Sequence, residues 1–223
     1  MSVRHKEQRV GVFVDVSNMY HTAKHLFSAN VNYGKILEEA VSGRKLIRAV
    51  AYVVRSNSSE EEAFFEALSN QGYEVNVKDL QVFIGGAKKG DWDVGIAMDI
   101  MRMASKLDVI VLVSGDGDFT ELLKHAKALG CRTEVVAFGK SASSSLVAET
   151  DSFVDLSKQK SKYLITKRRH NSNRSTARPP ARPAQRTSAP ARPAPRPIPR
   201  TNTSARPAPR PPARPAPRTT TER

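Results

Sequence analysis

The chain has 223 residues, a formal net charge of +14, one cysteine and 14 prolines. A single thiol rules out an intramolecular disulfide and fits a reducing compartment. No apolar run reaches the ~20 residues of a membrane-spanning helix, and the opening "MSVRHKEQRV" lacks the apolar stretch of a secretory signal, so a cytoplasmic location without membrane attachment is expected.

The charge excess is confined to one end. Every proline lies after residue 178, and residues 167–223 carry fifteen basic residues against Glu222 alone, which leaves the first 166 residues formally neutral. Three regions are expected: a flexible N-terminus (1–8), a globular domain (9–157) and a basic tail (158–223).

In chain order, "RVGVFVDV" (9–16) and "KLIRAVAYVV" (45–54) are short, valine-rich apolar runs, the pattern of strands covered on both faces of a parallel sheet. Between them His21 and His25, four apart, share a helix face in the spacing of a zinc pair, but no third ligand lies near in sequence and a surface role is the simpler reading. "EEEAFFEALSNQG" (60–72) places Ala63, Phe64, Ala67 and Leu68 at helical spacing and stops at Gly72. "YEVNVKDLQVF" (73–83) predicts a strand, "DVGIAMDIMRMAS" (93–105) a helix, "DVIVLVS" (108–114) a strand, "DFTELLKHAKALG" (118–130) a helix and "CRTEVVAFG" (131–139) a strand in which Cys131 is a small buried hydrophobe. Repeated βα order implies a mainly parallel sheet with right-handed crossovers, layered between helices.

From Lys167 onward there is no aromatic residue and one large aliphatic, Ile198, too little apolar surface to offset the entropy of ordering, so the tail is expected to be disordered. Its "ARPAPRPIPR"-type repeats favour extended polyproline II stretches with regularly spaced arginines. Such a positive rod suits RNA or another polyanion, or an aromatic-lined groove of a protein that binds proline-rich motifs; a solubilising tail is the plainer alternative.

Ligands of such sheets bind beyond the carboxyl ends of the strands. Three turns there are acidic: "VFVDVSNM" with Asp15, Ser17 and Asn18, "KKGDWDVGIAMD" with Asp91 and Asp93, and "LVSGDGDF" with Asp116 and Asp118. Each aspartate alone could be a helix N-cap. Several converging on one cleft repel one another, and a divalent cation relieves that repulsion. Oxygen ligands without a Cys or His partner suit Mg²⁺ or Mn²⁺ rather than zinc. Asp99, six residues past Asp93 and off its helical face, reads as a solvated side chain. "GGAKKG" (85–90) lacks the arrangement of a nucleotide P-loop; its Lys88 and Lys89 are either rim contacts for a nucleic-acid backbone or solvated loop charges.

"VGVFVDVSNMYH", "KKGDWDVGIAMDIM" and "DVIVLVSGDGDFTELLKHAKALGCRTEVVAFG", in this order, resemble the NYN domain family, the LabA-like proteins related to PIN-domain nucleases. The resemblance implies a PIN-like three-layer α/β/α fold and an acidic site that binds Mg²⁺ or Mn²⁺ to cleave RNA, single-stranded RNA in particular and within the strand. By motif it assigns Asp15, Asp93 and Asp116 as metal ligands, with Asn18 and Asp118 completing the catalytic set. Trp92 stands where an aliphatic residue is the family expectation and alters the groove wall. A catalytically weak NYN-domain RNA-binding or regulatory protein is the alternative.

Overall fold

The computed structural model describes residues 4–55, 61–82 and 88–166, with backbone alone for 81–82 and 88–89. In chain order the elements are β1 (Arg9–Asp15), α1 (Val16–Phe27), β2 (Asn30–Val31), α2 (Tyr33–Val41), β3 (Lys45–Arg55), α3 (Glu61–Asn70), β4 (Glu74–Asp79), β5 (Gln81–Val82), β6 (Lys88–Lys89), α4 (Asp93–Ala104), β7 (Val109–Val113), α5 (Thr120–Ala128), β8 (Arg132–Ala137), α6 (Ser144–Glu149), β9 (Ser152–Asp155), α7 (Lys160–Tyr163) and β10 (Leu164–Ile165).

Six strands form one sheet in the order β4-β3-β1-β7-β8-β9, and every pairing in it is parallel. Side chains alternate along the central strands. Val10, Val12 and Val14 of β1 and Val109, Val111 and Val113 of β7 enter one apolar cluster with residues of α1, α2, α3 and α7. Phe13, Ile110 and Leu112 enter a second, with residues of α4, α5 and α6. Two cores on opposite faces make the expected three-layer α/β architecture, and β7 is buried along its whole length, as its uninterrupted apolar sequence requires.

Two details depart from the sequence expectation. The 73–83 segment is not one strand: after β4 the Leu80 N–H bonds Arg55 O at the end of β3, the ladder stops, and β5 pairs instead with β6 in a separate antiparallel piece. Regular structure also runs past residue 157, through α7 to β10, which pairs with β2. Lys162 Nζ donates to Glu39 Oε2 at 2.6 Å and Tyr163 Oη to the same oxygen at 2.9 Å, so this extension is tied to α2 by side chains as well as backbone. Among the described residues no helix is long and apolar enough to cross a membrane. The arginine- and proline-rich tail lies outside the described residues.

Candidate metal centre

β1 and β7 are neighbours, but the chain leaves β1 towards β3 on one side and reaches β8 from β7 on the other. This is the topological switch point of the sheet, where the carboxyl ends of adjacent strands splay their loops apart and open a crevice. Asp15 ends β1 and caps α1: its Oδ1 accepts the Asn18 N–H at 3.0 Å. Ser114 follows β7, fully buried, and ties the two turns together. Its hydroxyl donates to Asp15 Oδ2 at 3.4 Å and accepts the Asp116 N–H at 3.2 Å. Asp116 in turn caps the short 3₁₀ turn Gly117–Phe119, its Oδ1 accepting the Asp118 N–H at 3.0 Å. The glycines of this turn are needed for close approach: a Cβ on Gly117 would lie 2.7 Å from Ser143 Oγ, and one on Gly115 3.2 Å from Ala142 Cα.

The third turn comes from the face of the sheet opposite α1, which α5 also covers. Asp93 opens α4, where its charge is favoured by the helix N-terminus. Carboxylate oxygens of Asp93, Asp116 and Asp118 lie within 4.8 Å of one another, close enough to share one cation. Asp15 is not in that group; it lies behind it, 7 % exposed, in the same open cleft of about 200 Å³, which Ser17, Asn18, His21, Gly90, Asp91, Trp92, Asp93 and Asp116 also line.

The electrostatics record the crowding. Burial holds the Asp15 carboxyl above the ordinary aspartate range; the Asn18 N–H and Ser114 bonds oppose this, while the charges of Asp93 and Asp116 add to it. Burial, then the charges of Asp116, Asp91 and Asp118, raise Asp93 likewise, with Lys78 acting against them. Among the described residues no lysine or arginine forms an ion pair with Asp93, Asp116 or Asp118. Three hard oxygen donors brought this close could hold a divalent cation.

The remaining sequence candidates fall in different places. Asn18 does not point free into the cleft: its Oδ1 accepts the Gly115 N–H at 3.1 Å. Asp99 is not merely solvated, because buried Tyr52 donates its hydroxyl to Asp99 Oδ2 at 2.9 Å on the far side of α4. Lys88 and Lys89 form the backbone of β6, and their side chains lie outside the described residues. Sequence reasoning passed over Ser114, whose signal was its place in "SGDGD", and set His21 aside as a surface histidine; His21 is exposed, but it is exposed on the cleft.

A parallel-sheet α/β sandwich with a carboxylate cluster at its switch point is a PIN-like domain. The chain belongs to the NYN domain family, whose model matches residues 9–157. It is 26% identical over 162 residues to the low amplitude and bright protein LabA of Synechococcus elongatus, a match covering 68% of this chain and 85% of LabA. Its fold is similar to the crystal structure of a protein of unknown function from Vibrio parahaemolyticus, with a TM-score of 0.67 and 29% identity, covering 74% of this chain and all of the other.

Proposed function

We propose that the domain is a metal-dependent ribonuclease that hydrolyses phosphodiester bonds of single-stranded RNA. The observation that carries this reading is the mutual approach of Asp93, Asp116 and Asp118 within 4.8 Å, above buried Asp15, at the switch point of the sheet. Asp93, Asp116 and Asp118 would hold a divalent ion, which would supply a bound water of lowered pKa and neutralise charge on the scissile phosphate. Asp15 adds negative charge from behind and, with Ser114, fixes the Asp116 turn; Asn18 holds the Gly115 backbone so that the turn keeps its aim. The basic tail attaches the substrate through contacts of its arginines with phosphates.

Incubation of the purified chain with an end-labelled single-stranded RNA, with Mn²⁺, with Mg²⁺ and with EDTA, tests the proposal. Cleavage is expected with either ion, absent with EDTA and absent in Asp116→Asn. Metal and RNA binding without any cleavage would make the domain a binding module and overturn the proposal.

A further inference from the structure

The cleft wall opposite α1 is built from the Gly90–Asp93 turn, and its largest side chain is Trp92, the chain's one tryptophan. Trp92 is immobilised. Its Nε1–H donates to Val53 O at 2.8 Å, its ring packs against Tyr52 with centroids 5.3 Å apart, and Gly95 backs it so closely that a Cβ there would lie 2.5 Å from Cε3. Lys78 completes this corner: Nζ donates to Asp91 O at 3.1 Å and stands 5.8 Å from the indole centroid. Among the described residues no carboxylate ion-pairs with Lys78, and its charge reaches Asp93. Its ammonium has three donors and one is spent.

An indole fixed in place and partly exposed on a cleft, with an ammonium over it that keeps two donors, matches what an unpaired nucleotide needs: a flat apolar surface for the base and a positive charge for the phosphate. A folded core alone would not require both at the rim of a cation site. We infer that Trp92 and Lys78 form a nucleotide subsite next to the carboxylate cluster, the indole stacking an unpaired base of single-stranded RNA and the ammonium meeting the adjoining phosphate. This rests on the ribonuclease reading and adds to it the reason for single-strand selection, since a paired base has both faces covered by its own neighbours. It also gives the departure at position 92 a role.

The experiment uses tryptophan emission, excited selectively over the five tyrosines, which reports on Trp92 alone because the chain has one tryptophan. The full-length Asp116→Asn chain is titrated with a short single-stranded RNA, the DNA strand of the same sequence and the RNA duplex. Stacking predicts that the single-stranded RNA quenches emission saturably and that the duplex leaves it unchanged. The DNA strand is expected to quench as well, since the stacked base and its phosphate are common to both strands; equal quenching by the duplex would overturn the subsite. In the otherwise wild-type chain, Trp92→Leu is expected to raise KM for single-stranded RNA about 5- to 100-fold with a smaller change in kcat, and Trp92→Phe to restore most of it. Lys78→Met should raise KM about 2- to 10-fold, with Lys78→Arg close to wild type.

Cleavage that proceeds with unchanged KM in Trp92→Leu, together with unmoved emission, overturns the subsite and leaves the ribonuclease reading standing. Absence of metal-dependent cleavage in the wild type overturns that reading itself. Should Trp92→Leu fail to fold, the quenching titration and Trp92→Phe decide: no quenching overturns the subsite.

Discussion

Asn18 on α1 and Gly115 on the turn after β7 are joined side chain to backbone at 3.1 Å, across 97 positions of sequence. The bond holds two acidic turns in register, because the Asn18 N–H is at the same time the capping partner of Asp15. Asn18→Ala leaves the Gly115 N–H without its acceptor and should cost about 1–2 kcal/mol of stability. Its effect on Mn²⁺ affinity should exceed that of a surface Asn→Ala of equal stability cost, because the Asp116 turn loses its anchor. Thermal melts beside Mn²⁺ titration would show this; an unchanged affinity would mean that Ser114 holds the turn alone.

Asp15 makes a prediction with a sign. Its folded carboxyl is held above the ordinary aspartate value of about 3.8, by burial first and by the charges of Asp93 and Asp116 after it. Folding therefore favours the protonated form, and metal-free stability should fall as pH rises from that value through the raised one, then stay level. Asp15→Asn keeps a capping oxygen for the Asn18 N–H and removes the charge. In metal-free buffer at neutral pH this variant should melt at the wild-type temperature or above it, with a flatter pH profile, while cleavage is lost. A variant that unfolds would show that Asp15 is a structural cap first.

Metal should reverse that balance. An ion that binds the folded carboxylates and not the unfolded chain stabilises by about 1–3 kcal/mol at tens to hundreds of Kd. The grouping of Asp93, Asp116 and Asp118 ranks the variants: Asp93→Asn and Asp118→Asn should lose most of the Mn²⁺-induced rise in Tm, Asp15→Asn less. The reverse order would place the ion deeper, between Asp15 and Asp116.

That ranking marks the limit of what the sequence shows. The sheet was legible because β1, β3, β7 and β8 are valine-rich runs punctuated by helical spacing, and runs of that kind pack only one way. The acidic turns were legible because they follow strands. Asp118 looked peripheral because nothing in "GDGD" tells which carboxylate turns outward; the 3₁₀ turn at Gly117 decides it by placing Asp118 beside Asp93. Asp99 looked solvated because its partner, Tyr52, is 47 positions away on β3. The domain is expected from sequence to end at 157, yet "SKYLI" carries Tyr163 and Leu164 into the core, two buried residues too few to register as an amphipathic helix or strand.

A structural prediction lies at Arg44 and Glu134, a buried pair far from the acidic cleft in sequence and role. Arg44 Nη1 and Nη2 each reach Glu134 at 2.9 Å, while Nη2 and Nε also donate to Ala40 O and Val41 O at the end of α2, so one side chain ties that helix to β8. Burial pushes the Glu134 carboxyl up, but the bonds and charge of Arg44, with Arg132 and Arg4, outweigh it and hold the group below the ordinary glutamate value of about 4.5. This contribution is present above that value and should fade as pH falls through the depressed one. Arg44→Met leaves the buried carboxylate with Arg132 and Arg4 as its remaining cations and should cost about 3 kcal/mol or more, whereas the double variant with Glu134→Leu should recover much of it. Urea melts of the single and double variants at neutral pH measure the coupling; additive losses would mean that the two side chains act separately.

The tail is separable from the chemistry if the charge division is functional. Among the described residues the last element is β10, ending at Ile165, and Lys162 is bonded to Glu39, so a cut that spares these elements falls after Thr166. The truncated chain is formally neutral, whereas the whole carries +14. Removing the tail should weaken RNA affinity and flatten its salt dependence, since each arginine–phosphate contact on a single strand steepens the log–log slope by about 0.7. Single-turnover cleavage of a short RNA at saturation should stay close to that of the whole chain, because all the carboxylates that gather at the switch point belong to residues 15–118. Binding titrations from about 50 to 300 mM salt, beside single-turnover rates for both chains, separate the outcomes. An unchanged salt slope would move the tail from RNA to a protein that binds its proline-rich repeats, and a lost single-turnover rate would place tail arginines at the reacting phosphate.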